Sequence, residues 1–153
     1  MIETGQPAPD FTVPRDGGGE ISLSAQQPKA VVLYFYPKDD TPGCTKEAIA
    51  FTGLAAEFEQ AGATIIGVSK DSAAKHDKFI AKHDLNIALA SDETSDICER
   101  YGVWVEKNMY GKKYMGIERA TFLIDGTGNV AQIWRKVKVP GHAEAVLEAV
   151  KAL

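Results

Sequence analysis

The sequence predicts an α/β fold: a mixed central sheet flanked by helices, with a β-hairpin extension at the N-terminal end. Three observations carry this. Short apolar runs rich in β-branched and aromatic residues, Val31–Tyr36 and Thr64–Ser69, have the length and composition of buried strands. Between them lie segments whose apolar residues recur at three- and four-residue steps, the period of a helix. The resulting strand–helix–strand–helix order implies right-handed βαβ units in a largely parallel sheet, and two glycine-centred hairpins add the remaining strands.

Taken in order, residues 1–10 are polar, contain Pro7 and Pro9, and should run extended. Phe11-Thr12-Val13 and Glu20-Ile21-Ser22-Leu23 alternate around Asp16-Gly17-Gly18-Gly19, a hairpin pattern. The glycine triplet is a turn rather than a phosphate loop, because no helix follows it. Residues 24–30 are a polar connection into the strand that ends at Tyr36. From Thr45 the period changes: Ala48, Phe51, Leu54, Ala55 and Phe58 predict a helix over 44–61, capped by Gly62. After the strand at 64–69, Asp71 or Ser72 caps a helix to about His83. Asn86–Ala90 is a strand candidate, and Ser91-Asp92-Glu93 opens a short helix through Tyr101, ended by Gly102. Residues 105–117, rich in Lys, Tyr and Gly, read as an exposed loop. Arg119–Asp125 and Asn129–Trp134 flank Gly126-Thr127-Gly128 as a hairpin; a strand and not a helix follows those glycines, which argues against a dinucleotide fingerprint. Gly141–Leu153 is a final amphipathic helix, with His142 expected to be exposed at its start.

Composition sets outer limits. A chain of 153 residues is expected to form one domain, residues 1–153. Its 44% apolar and 25% charged content is ordinary for a globular protein. A net charge of −4 argues against nucleic acid, whose binders carry a basic footprint. No apolar stretch reaches the length of a membrane span, and Met1-Ile2-Glu3-Thr4-Gly5 shows no signal-peptide pattern. Two cysteines do not make a disulfide framework, so a reducing cytoplasm is the expected compartment.

The chemistry concentrates where the first central strand meets its helix. Pro37 ends the strand, Pro42-Gly43 is a second breaker, and Cys44 opens the helix. That places a thiol just beyond the carboxyl end of a buried strand, where open α/β sheets put their ligands. A helix N-terminus carries partial positive charge and unpaired N–H groups, both of which favour a thiolate. The alternative is a small buried hydrophobe, the usual fate of a free cysteine.

The surrounding residues bear on that choice. Pro37-x-x-x-Thr41-x-x-Cys44 resembles the active-site motif of the peroxiredoxins, thiol-dependent peroxidases. The longer string Tyr34-Phe35-Tyr36-Pro37-Lys38-x-x-Thr41-Pro42-Gly43-Cys44-Thr45-x-Glu47 is similar to the bacterioferritin comigratory protein, or peroxiredoxin Q, subfamily. So are Asp71-Ser72, Leu89-x-Ser91-Asp92, Tyr101-Gly102-Val103-Trp104 and Gly116-Ile117-x-Arg119-x-Thr121-Phe122-Leu123-Ile124-Asp125. The resemblance covers nearly the whole chain. It implies a thioredoxin-like fold and a peroxidase with Cys44 as nucleophile. It also implies that Thr41, Arg119 and the Gly43 and Cys44 N–H groups serve as donors to the peroxide, and that Pro37 shields the sulfur. Arg119 reaches Cys44 only by that implication, since spacing alone cannot bring it there; an arginine opening an apolar strand is otherwise a solvated edge residue. Glu47 either orients Arg119 or a neighbour, or places a favourable charge in the first helical turn.

The resemblance leaves the fate of the oxidised sulfur open. Relatives carry a resolving cysteine five residues after the nucleophile, where Ile49 stands, or on the following helix, near Ile80. Cys98 is the remaining candidate, but it shares a helical face with Ile97 and Tyr101 and reads as buried and structural. The favoured expectation is therefore a Cys44 sulfenic acid resolved by an external thiol: thioredoxin, glutaredoxin or a small thiol. The alternatives are a peroxidase resolved by Cys98, or a thioredoxin-like binding module or holdase without peroxidase chemistry. Dithiol exchange at Thr41-Pro42-Gly43-Cys44 is excluded, because the first cysteine of a Cys-x-x-Cys pair is missing. No cofactor is implied. Metal binding is not expected, since His76 and His83 stand two helical turns apart, about 10 Å. A monomer or weak homodimer is the expected state.

Overall fold

The computed structural model describes residues 2–153. Five strands form the central sheet in the order β5-β4-β3-β8-β9. In chain order these are β3 (Ala30–Phe35), β4 (Ala63–Ser69), β5 (Ala88–Ser91), β8 (Ala120–Ile124) and β9 (Val130–Trp134). The βαβ crossovers make β3, β4 and β5 parallel, whereas β8 runs antiparallel to both β3 and β9. The sheet is thus mixed. Two small hairpins lie outside it: β1 (Thr12–Pro14) with β2 (Glu20–Ser22), and β6 (Trp104–Met109) with β7 (Lys112–Ile117).

The helices are α1 (Pro42–Gly53), α2 (Ala55–Gln60), α3 (Ala73–His83), α4 (Ile97–Arg100) and α5 (His142–Lys151), with one 3₁₀ turn at Ser24–Gln26. The expected helix over 44–61 is corrected on two points. It begins earlier, at Pro42, because proline at the first helical position forfeits no hydrogen bond. It also breaks after Gly53, where Leu54 leaves the helical region and its N–H turns back to Phe51 O and Thr52 O. Over 91–101 only the four residues of α4 are helical, the chain before them being held by Asp92, whose carboxylate accepts from Ile97 N and Cys98 N at 3.0 and 2.9 Å. Ser72 does cap α3, accepting from Lys75 N. Gly62, at φ 84°, takes the left-handed turn after α2.

Residues 105–117 form no loop: they are most of the β6–β7 hairpin. Tyr110 and Gly111 at its tip both have positive φ, 53° and 81°, the geometry of the turn whose twist matches paired strands. The N–H of Gly111 donates to Asn108 Oδ1 at 3.1 Å.

Strand β3 is buried along its entire length and alternates its side chains between two cores. Val32, Tyr34 and the following Tyr36 join Cys44, Phe51, Phe58, Phe79, Val146 and others on one face. Val31, Leu33 and Phe35 join Phe11, Ile97, Cys98, Tyr101, Phe122 and others on the opposite face. The two cysteines therefore belong to different layers, with the sheet between them.

At Gly67, in the middle of β4, side chains of the first core press against the backbone. A Cβ there would stand 2.8 Å from both Leu89 Cδ2 and Tyr34 Cζ. Both side chains are fully buried, so neither can swing away. Gly67→Ala is expected to cost about 1–3 kcal/mol. Chemical denaturation checks this, and a variant as stable as the parent would show that the core can expand there.

Candidate active site

The site is assembled from the ends of two adjacent strands. β3 delivers the chain to the loop 37–41, which turns into α1. Thr41 is the N-cap, Pro42 the first helical residue and Cys44 the third. The first-turn N–H groups have no intrahelical partner and face outward from the helix start. Cys44 itself is 2% exposed, sealed by its neighbours. Thr41 is a cap by backbone position only: its hydroxyl donates to Lys38 O at 2.8 Å rather than capping α1, while its carbonyl accepts the first helical bond from Thr45 N. Pro37 stands exposed at the end of β3.

Antiparallel pairing explains the arrival of Arg119. Ala120 lies opposite Phe35, so the residue before β8 sits beside the end of β3, where α1 begins. Arg119 lies 75 positions from Cys44, yet its Nη2 is 3.4 Å from Cys44 Sγ. Its Nη1 donates to Glu47 Oε1 at 2.6 Å. The guanidinium lies against Gly43, where an added Cβ would come within 3.2 Å of Nη2. Gly43 thus supplies room as well as an N–H.

The charges are mutually dependent. Burial works against a charged Arg119, but Glu47 and Cys44 together outweigh it and hold its pKa above the ordinary value. Glu47 is 1% exposed, so it is no solvated first-turn charge. Burial pushes its carboxyl up to about 7, against the pull of Arg119. Its second oxygen, Oε2, makes no hydrogen bond among the described residues. Tyr34 lies fully buried beneath, stacked on Phe51 at 4.7 Å, and burial followed by the charges of Glu47 and Cys44 drives its phenol well above the usual range.

Other positions depart from expectation. His142 is buried, not exposed: it begins α5 against the sheet, with Nε2 2.7 Å from Thr121 Oγ1 and its ring edge-on to Phe51 and Trp134. Burial, and then the charge of Arg119, lower its pKa to about 4, so it is neutral at pH 7. Cys98 is fully buried on the far side of the sheet. Burial, and then the Asp92 carboxylate, push its thiol far above the ordinary value. His76 and His83 each face an aspartate of the 37–41 loop, His76 Nδ1 to Asp39 Oδ2 at 2.7 Å and His83 Nε2 to Asp40 Oδ1 at 2.8 Å. Sequence reasoning weighed these histidines only as metal ligands and missed their role in fastening that loop; no local pattern signals it. Among the described residues no three His, Cys, Asp or Glu side chains converge as a metal site, and no helix is long and apolar enough to cross a membrane.

Comparison with known proteins gives the chain its relatives. Residues 4–133 match the AhpC/TSA family. A putative peroxiredoxin bcp from Coxiella burnetii is 52% identical over 146 residues, 95% of this chain and 97% of the relative. Peroxiredoxin Bcp of Bacillus subtilis is 49% identical over 150 residues, covering 98% and 96%. Among solved structures, the Xanthomonas campestris bacterioferritin comigratory protein superposes with a TM-score of 0.91 at 47% identity, covering 98% of each chain. Xylella fastidiosa PrxQ gives 0.94 at 42% identity, covering 99% of this chain and 97% of its own. With a thioredoxin-like core, a cysteine at the start of α1 and an arginine on its sulfur, the chain belongs to the AhpC/TSA family, among the peroxiredoxins of the bacterioferritin comigratory protein and peroxiredoxin Q type.

Proposed function

We propose that the protein reduces hydrogen peroxide and organic hydroperoxides with Cys44 as the nucleophile. The observation that carries this is the Arg119 guanidinium, held by Glu47 on one side and resting 3.4 Å from Cys44 Sγ on the other. The similar Xanthomonas campestris protein was studied for alkyl peroxide reduction activity. In the proposed step the thiolate attacks one oxygen of ROOH. An S–O bond forms, the O–O bond breaks, and the leaving oxygen takes a proton to become ROH or water. Negative charge moves from sulfur to the leaving oxygen. A fixed guanidinium and the N–H groups of Gly43 and Cys44 are donors for that charge, and a preorganised donor costs no rearrangement as the charge develops. Thr41 joins them once its hydroxyl turns from Lys38 O. Pro37, exposed at the end of β3, shields the sulfur from water and over-oxidation in this reading.

The product is a Cys44 sulfenic acid. We propose that an external thiol resolves it: thioredoxin, glutaredoxin or a small thiol condenses with the sulfenic acid, releasing water, and a second thiol frees Cys44. Cys98 supports this by its placement. A disulfide needs Cα atoms within about 7 Å, whereas Cys98 lies in the core on the other face of the sheet. Its buried thiol is held protonated and is a poor nucleophile. A reducing cytoplasm suits such a cycle, and a monomer or weak homodimer suffices, since every group named comes from one chain.

Cys44→Ser is expected to abolish peroxide consumption, while Arg119→Lys, which keeps the charge but loses the planar two-pronged donor, is expected to slow sulfur oxidation by about 10²-fold. Stopped-flow oxidation of the thiol measures both. Turnover in Cys44→Ser would end the peroxidase reading, and a change under about threefold in Arg119→Lys would remove Arg119 from the site.

One equivalent of peroxide should make the protein one oxygen heavier and reactive towards dimedone, with Cys98→Ser keeping most activity when a thiol is supplied. A product two hydrogens lighter, with thioredoxin-driven turnover lost in Cys98→Ser, would instead make Cys98 the resolving thiol.

Glu47 titrates near neutrality in the folded protein, above its ordinary value of 4.5. A raised carboxyl pKa means the folded state binds the extra proton. The stability it contributes is full below pH 4.5 and is lost as pH rises through about 7. Glu47→Gln removes the titration. Parent and variant unfolding midpoints, compared from acid to neutral pH, should therefore diverge over that window, with the parent losing ground. Parallel curves would contradict a buried, titrating Glu47.

A further inference from the structure

The loop that presents Cys44 is fastened from behind by a buried polar cluster that the peroxide chemistry does not use. Asp39 is its hub. Its Oδ1 accepts from the Tyr36 hydroxyl at 2.5 Å, its Oδ2 faces His76 Nδ1 at 2.7 Å, and its N–H donates to Asp71 Oδ2 at 2.8 Å. Asp71 in turn accepts from Ser69 Oγ at 2.8 Å, and Ser91 Oγ donates to the Asp71 carbonyl at 2.7 Å. The cluster thus joins the ends of β3, β4 and β5 to the first turns of α3. His76 is completely buried at its centre.

The ring of His76 is the informative part. Its Nδ1 faces a carboxylate and its Nε2 faces the Ala90 carbonyl at 3.0 Å. Both partners are acceptors. A neutral imidazole has one N–H, so one nitrogen would present a lone pair to an oxygen at hydrogen-bond distance. Only the imidazolium satisfies both. The shared proton belongs on the ring, because imidazole is a stronger base than a carboxylate in water. The ring is faced by Asp39 from the 37–41 loop, Asp71 before α3, the Ala90 carbonyl of β5 and, through Asp39, Tyr36. These groups are acceptors or are committed as donors to Asp39, and among the described residues no cation bonds to either ring nitrogen. Burial alone would lower the pKa of His76, but the hydrogen bond and charge of Asp39, the Ala90 carbonyl and Asp71 outweigh it and raise it.

We propose that His76 is a doubly donating imidazolium and that, with Asp39, it is a positioning residue for peroxide reduction, locking the 37–41 loop and hence Thr41 and Cys44 in the reactive arrangement. This rests on the peroxidase reading above. A group with a raised pKa contributes its stabilisation below its ordinary value and loses it as pH rises through the folded value. Deprotonation turns one ring nitrogen into an acceptor facing an acceptor, and the loop loosens on the alkaline side.

The test is ¹⁵N NMR of histidine-labelled protein, with the His76 signals assigned by difference from a variant, alongside the pH dependence of Cys44 oxidation by hydrogen peroxide. At about pH 7.5, where an ordinary imidazole is neutral, both His76 ring nitrogens should carry protons. The alkaline loss of peroxide reactivity should share the midpoint of the His76 titration. His76→Asn should lower the rate at neutral pH by about tenfold, the order expected of a small misplacement, and abolish that alkaline inflection. Asp39→Asn should move the His76 titration to lower pH. A purely structural role would lower the melting temperature and leave the pH profile unchanged. A His76 ring with one proton at pH 7.5, midpoints that do not coincide, or a His76→Asn profile like that of the parent would each overturn the proposal. If the variants do not fold, the two midpoints of the unaltered protein decide. The NMR titration needs no peroxide, so turnover surviving in Cys44→Ser, which would end the peroxidase reading, is a separate outcome.

Discussion

The antiparallel pairing of β8 against β3 is the constraint on which the site depends. It sets Arg119 beside the end of β3, at the point where α1 starts, and no local feature of either segment could do so. Once there, the guanidinium is fixed twice, by Glu47 one helical turn beyond the cysteine and by the open space at Gly43. A slip of one residue in that pairing would turn Arg119 to the other face of the sheet. The buried alternation of β3 and β8 forbids such a slip, because it would exchange the apolar sets of two cores. The placement of Arg119 against Cys44 is in this sense set by the packing of Val31 to Phe35 and Ala120 to Ile124.

The same alternation separates the thiols. Cys44 and Cys98 have comparable burial, yet they occupy opposite environments. One lies beside a guanidinium at a helix start, and the other beside the Asp92 carboxylate in an apolar layer. Position in the fold thus gives two chemically identical groups opposite electrostatic surroundings, a cation for one and a carboxylate for the other.

What the sequence made legible follows the range of the interaction involved. The strand ending near Tyr36, the presence of Cys44 in a first helical turn, the Ser72 cap and the left-handed Gly62 depend on neighbours within a few residues, and they could be read directly, although the helix starts two residues earlier than the breaker Pro42-Gly43 suggested. The β6–β7 hairpin could not: both its faces are polar and largely exposed, so no apolar alternation marks it, and its one signal was the Tyr110-Gly111 turn. The break after Gly53 was hidden because the apolar period runs on through Phe58. His142 was misplaced because its burial comes from Thr121 and Phe51, distant in sequence, and from Trp134 across the preceding loop, none of them within its own helix. Arg119 was identified through family resemblance, and the fastening of the loop by His76 and His83 went unread, since it joins residues tens of positions apart through polar contacts that leave no periodicity.

The two-layered core has an optical consequence. The chain has two tryptophans, and the sheet parts them as it parts the cysteines. Trp134 packs on the layer that holds Cys44, with its indole 5.8 Å from the His142 ring. Trp104 packs on the layer that holds Cys98, under the ammonium group of Lys70 at 4.7 Å. Each layer therefore carries its own fluorophore in a distinct electrostatic setting. With one indole replaced by phenylalanine, emission from the other reports on a single side of the sheet, so events around Cys44 can be followed separately from those in the opposite core.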